Sequence, residues 1–194
     1  MKHLTIILFS ILVSCKNNPK TKTGQKIETE TEIDTQNGLD QSVYEMWNDY
    51  IASNPEFKNS EIPETEFFHN TKEDANRLAE LTLNGKKKAT SSLFSLYKQY
   101  GVDLPKVGAK QIITDFDGKA KAIIENVSVD TIPFNKVSKE YAELDMGTGI
   151  EPLEKWKKAH WDFFESFLAE SGEQPTEEML MVCVKFKTIW PENR

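Results

Sequence analysis

Apolar residues along the chain alternate between helical and strand-like periods, and this outlines an α+β domain. From Ser42 to Ser53, Tyr44, Trp47 and Ile51 are spaced three and four apart, which predicts a helix. A second helix is predicted over Thr71–Asn84, with Thr71 as its cap and Asp74 at the third helical position. Gly85 follows where a helix end favours a left-handed residue. A third helix is expected over Ser91–Tyr100, capped by Thr90 or Ser91. The pattern then shortens. Lys110–Phe116 reads as a strand, Asp117-Gly118 as a tight hairpin turn, and Ala120–Val129 as the partner strand. A short helix is predicted near Val137–Leu144, before a glycine-containing loop over Asp145–Ile150. Pro152 opens a long helix to about Glu170, at a position where proline is tolerated. Leu153, Trp156, His160, Phe163, Phe164 and Phe167 share one face of it, which should pack on the sheet. Leu180–Thr188 reads as a closing strand, and no internal repeat is visible.

The first residues carry a different pattern. Met1-Lys2-His3 is a short basic stretch, and Leu4–Ser14 is an apolar run of 11 residues. That run is too short to span a bilayer but suits the apolar part of a signal peptide at 1–14. Leu12-Val13-Ser14-Cys15 resembles a bacterial lipobox, which implies a lipid on Cys15 and a membrane-anchored protein of the cell envelope. Residues 15–41 then read as the lipidated cysteine and a disordered tether. Lys16, Lys20, Lys22 and Lys26 precede Glu28, Glu30, Glu32, Asp34 and Asp40, with only Ile27, Ile33 and Leu39 as large apolar residues.

Residues 42–194 are long enough for one domain. They hold 19 basic and 26 acidic side chains, a net −7, so a broad basic nucleic-acid face is not supported. Besides Cys15 the chain has only Cys183, inside the apolar run Leu180–Phe186, where a packed thiol is expected rather than a nucleophile. The histidines and cysteines show no metal-ligand spacing, and neither a metal nor a cofactor is expected.

The chemistry concentrates in Gly85-Lys86-Lys87-Lys88-Ala89-Thr90 and the following Ser91. Three ammonium groups, several hydroxyls and the free N–H groups of a helix start would suit an anion or a polarised carbonyl. The same lysines would also complement the C-terminal dipole of the preceding helix. Trp156 and His160 lie one turn apart, so His160 is either a satisfied core residue or part of a pocket rim.

Taken in order, these pieces resemble the ASCH (activating-signal-cointegrator homology) family, in its bacterial stand-alone form. The residues carrying the resemblance are Gly85-x-Lys87-x-Ala89-Thr90, Val107-Gly108 before a hairpin, Ala142-x-x-Asp145, Trp156-x-x-x-His160 with Phe163-Phe164, and a closing strand. The match covers about residues 44–190. It implies a small PUA-like β-barrel flanked by helices, with a cleft beside the Gly-x-Lys motif. The implied ligands are RNA, a nucleotide or a modified nucleoside, with Gly85, Lys86, Lys88, Ser91, Trp156 and His160 as binding residues. Some small members resemble amidohydrolases on acylated cytidine, using a lysine, a threonine and a glutamate. These positions fall on Lys87, Thr90 and Asp145, the last one methylene shorter than the family glutamate. In that reading Lys87 activates the Thr90 hydroxyl, Asp145 orients the lysine or moves a proton, and the N–H groups over Thr90–Ser92 hold an oxyanion. A third reading keeps the fold without the chemistry, as an interaction domain of the cell envelope.

Overall fold

The computed structural model describes residues 38–192. The expected signal peptide, Cys15 and the tether up to residue 37 lie outside the described residues. Asp40 caps helix α1 (Gln41–Ser53), accepting a hydrogen bond from the Ser42 N–H at 2.9 Å. Ordered structure therefore reaches slightly further back than residue 42.

Among the described residues, five α-helices flank a five-stranded sheet curled into a half-barrel, the α+β, PUA-like architecture expected from the chain's pattern and resemblance. The strands are β1 (Glu64–Glu66), β2 (Ala89–Leu93), β3 (Lys110–Thr114), β4 (Ala120–Pro133) and β5 (Leu180–Trp190), in the spatial order β1-β3-β4-β5-β2. Only β1 and β3 run parallel; the other neighbours are antiparallel. Register shifts in β4 at Ile123/Ile124 and Asn126/Ser128 bend this long strand. Such bulges increase local twist, which helps the sheet to curl.

Helix α2 (Lys72–Leu83) starts as its sequence predicts: the Thr71 hydroxyl accepts the Asp74 N–H and donates to the Asp74 carboxylate. Gly85 adopts φ +62°, the left-handed geometry expected after that helix. Ser138 caps α4 (Lys139–Met146), and Pro152 is the first residue of α5 (Pro152–Leu168). Among the described residues no helix is long and apolar enough to cross a membrane.

One predicted element is wrong. Ser91–Tyr100 is not a single helix: Ala89–Leu93 is strand β2, and only Phe94–Tyr100 forms a short helix, α3. Thr90 pairs with Val184 and Ser91 with Cys183 across to β5, so the backbone there serves the sheet. Short hydroxylated residues favour a helix weakly, and a buried ladder with β5 outweighs a capping reading. The three-residue strand β1 was not expected at all.

The apolar side chains form three packed groups. Val43, Trp47 and Tyr50 of α1 bury against Ile112 and Ile123 of the sheet. Ala79 of α2 and Phe68 meet Ile113, Ile124 and Phe186. The largest group joins Ala89 and Leu93 of β2, Met181 and Cys183 of β5, Tyr141 and Ala142 of α4, and Trp156, Phe164 and Leu168 of α5. The aromatic face of α5 thus closes over α4 as well as the sheet. Cys183 is a free, buried thiol, and burial pushes its pKa up to about 11, which suits the packed role expected for it.

Candidate functional site

The loop after α2 runs across the end of α4. The Lys88 N–H donates to the Leu144 carbonyl at 2.8 Å, and the Lys87 ammonium donates to the Asp145 carbonyl at 3.0 Å. Lys87 therefore complements a helix C-terminus, but that of α4 rather than of the preceding helix. Gly147 turns the chain at the end of α4 with φ +65°, which glycine adopts without strain. Its Cα faces the loop, a Cβ there reaching contact distance, 3.4 Å, of the Lys86 carbonyl carbon and the Lys87 nitrogen.

Only the middle lysine enters the interior. Lys87 is 3% exposed, whereas Lys86 and Lys88 are exposed on either side, so the three ammonium groups do not share one volume. The Lys87 Nζ lies 2.5 Å from Asp145 Oδ1 and 4.8 Å from the centre of the Phe68 ring. The other carboxylate oxygen of Asp145 accepts from Ser91 Oγ at 2.7 Å and from Trp156 Nε1 at 2.8 Å. Each donor comes from a different element: the post-α2 loop, β2 and α5. Burial alone would raise the pKa of Asp145. The Lys87 ammonium, His160 and the hydrogen bonds from Lys87 and Ser91 outweigh it and hold the carboxyl below its ordinary range.

Trp156 is fully buried and serves this carboxylate from beneath. His160 stacks on the Trp156 ring with centroids 4.2 Å apart, and its Nδ1 donates to the Trp156 carbonyl at 2.9 Å. Burial lowers the His160 pKa, against the pull of Asp145. In the neutral ring the proton therefore sits on Nδ1, and Nε2 is a free acceptor 3.6 Å from Asp145 Oδ2. His160 is thus both of the things its position suggested, a hydrogen-bonded residue and part of a pocket wall.

These groups line one cavity of about 210 Å³. Lys87, Thr90, Ser91 and Asp145 form its polar floor, the first and last buried and the other two half-buried, and His160, Phe68, Leu78, Phe163 and Phe164 supply the walls. Gly85, Lys86, Lys88 and Trp156 are not among the lining residues, although Gly85 turns the loop and Trp156 holds Asp145. Thr90 faces the cavity, but the hydrogen bonds of the floor run through its neighbour Ser91. The free helix-start N–H groups expected over Thr90–Ser92 are not there, because those residues belong to a strand and not to a helix start.

Several lining residues were not anticipated. His69, Asp74 and Arg77 complete the cavity on its solvent side. Tyr141 stands behind the floor: its hydroxyl donates to the Thr90 carbonyl at 2.6 Å and lies 3.1 Å from Ser91 Oγ. Burial and the neighbouring Asp145 push its pKa far up, so it acts as a fixed donor. Asp74 was visible only as part of a helix cap, and Tyr141 gave no signal of its own.

An ASCH domain family model matches residues 64–190, a span containing every residue of this cavity. The chain belongs to the ASCH domain family. Two crystal structures are similar to this ASCH domain. An ASCH domain from Lactobacillus crispatus JV V101 has 33% identity and a TM-score of 0.71, with 79% of this chain and 97% of that chain covered. A protein from Enterococcus faecalis V583 has 31% identity and a TM-score of 0.69, covering 77% and 88% respectively. No curated protein matches the chain.

Proposed function

We propose that this ASCH domain binds a small nucleoside-type ligand in the cavity floored by Lys87, Thr90, Ser91 and Asp145. The observation that carries the reading is the buried Lys87–Asp145 pair at the base of an aromatic-walled cavity. A polar floor that holds both donors and acceptors, under apolar walls, suits a flat, hydrogen-bonding heterocycle. At about 210 Å³ the space lies below the range of roughly 300–1,000 Å³ usual for ligand pockets, which favours one nucleoside over an extended strand. The acidic domain argues the same way, since a long RNA needs a basic track. Calorimetric titration of the full chain with ribonucleosides and with short single-stranded RNA tests this. Saturable one-to-one nucleoside binding that Lys87→Gln abolishes is expected. Binding of RNA alone, or nucleoside binding indifferent to Lys87→Gln, would contradict it.

The amidohydrolase reading draws support from Thr90 and Lys87 lining one cavity. It is weaker on chemistry. An ammonium ion-paired with Asp145 has no lone pair to take the threonine proton, and Asp145 already accepts three side-chain hydrogen bonds. Turnover of N4-acetylcytidine that Thr90→Val removes would reinstate it. The lipid anchor at Cys15 is a separate proposal; fatty-acid labelling that disappears in Cys15→Ala is its expected signature.

A further inference from the structure

The solvent side of the cavity has its own polar group, which the motif chemistry leaves unused. His69 has φ +69°, a left-handed backbone that a non-glycine residue adopts only at a cost. That conformation places its ring 5.3 Å from Phe163, across the opening between α2 and α5. Its Nδ1 is buried without a hydrogen-bond partner, and the nearest charged atom is Asp74 Oδ2 at 3.6 Å. Asp74 also accepts from Arg77 Nη2 at 2.8 Å and from the Thr71 hydroxyl at 3.0 Å. The three side chains remain 30%, 34% and 50% exposed, against 4% for Lys87, so they form the mouth and Lys87 the floor.

Charge decides what such a mouth accepts. Arg77 is already compensated by Asp74, as Lys87 is by Asp145. A phosphate entering here would meet the Asp74 carboxylate at hydrogen-bond range of its intended partner. A hydroxyl suffers no such conflict, because it donates to the carboxylate or imidazole and accepts from the guanidinium. The mixture of donors and acceptors thus fits an uncharged polyol better than an anion.

We propose that His69, Asp74 and Arg77 form a subsite for a neutral vicinal diol, the ribose end of a nucleoside whose base meets Lys87 and Thr90. This rests on the nucleoside reading of the cavity and specifies which form of the ligand enters. Calorimetry on the full chain with cytidine, uridine, adenosine and guanosine tests it, each beside its 2′,3′-dideoxy form and its 5′-monophosphate. At least one ribonucleoside should bind, with its dideoxy form weaker by roughly tenfold or more, the loss of one or two hydrogen bonds. The 5′-phosphate should change affinity less than about threefold on the charge balance above. His69→Asn suits the left-handed backbone, and Asp74→Asn keeps an acceptor for the cap. Both should bring the ribo-to-dideoxy affinity ratio close to one, with the thermal melt showing that each variant is folded. Equal binding of ribo and dideoxy forms by the wild type would overturn the subsite and leave the cavity reading standing. A monophosphate more than tenfold tighter would replace it by an anion site. Failure of every nucleoside to bind would remove both readings.

Discussion

At the scale of single residues, the site is organised by Asp145. Its carboxylate is buried, and it is satisfied by an ammonium, a hydroxyl and an indole N–H from three different elements. Removing one partner leaves the other charge stranded. Lys87→Met should therefore cost about 3–5 kcal/mol in urea denaturation, and adding Asp145→Leu should recover most of it. Trp156→Phe removes one neutral donor and should cost about 1–3 kcal/mol. Acid should weaken the fold in two stages. His160 has a lowered pKa when folded, so the unfolded chain takes up its proton first, and stability falls as pH drops below the ordinary histidine value of about 6.5. Asp145 is also lowered when folded, so its contribution is complete above about pH 4 and is lost as pH falls through the folded value. Denaturation midpoints measured from pH 8 to pH 3 should show both stages; His160→Gln should remove the first and Asp145→Asn the second.

Among the elements, helices with local signals were readable and the strand beside the site was not. Thr71 and Pro152 each mark a helix start by local means, a capping hydroxyl and a fixed φ, and the structure has those helices where the signals fall. The Asp117-Gly118 turn likewise joins β3 and β4, with Gly118 at φ +86°. Strand β2 differs because it is specified by Val184 and Cys183, nearly a hundred residues later. Its hydroxyl-rich sequence serves equally well as a cap or as a strand, and only the partner decides. The same holds for the site. Lys87, Asp145 and His160 stood out as chemical types, whereas His69 and Arg77 depend on how α2 lies beside α5, which no local pattern encodes. Gly147 ties α4 to the motif loop through backbone contact. Gly147→Ala should cost about 1–2 kcal/mol from its left-handed φ, and any loss of ligand binding beyond that would come from a shift of the adjoining loop that carries Lys87. Thermal melts beside calorimetry would separate the two effects.

Across the whole molecule, an acidic domain buries one lysine among its described residues, at the base of a cavity, instead of building a basic surface. The cavity's charges are paired internally, so nucleoside affinity should change little between about 50 and 200 mM salt, whereas binding through RNA phosphates would fall steeply. The central claim is that the buried Lys87–Asp145 pair is the floor on which the ligand sits. The most direct measurement is the side-chain ¹⁵N–¹H NMR resonance of the Lys87 ammonium, identified by its loss in Lys87→Gln and followed through a ribonucleoside titration. A progressive shift that saturates at one equivalent is predicted. Saturating nucleoside binding that leaves this resonance unmoved would contradict the account.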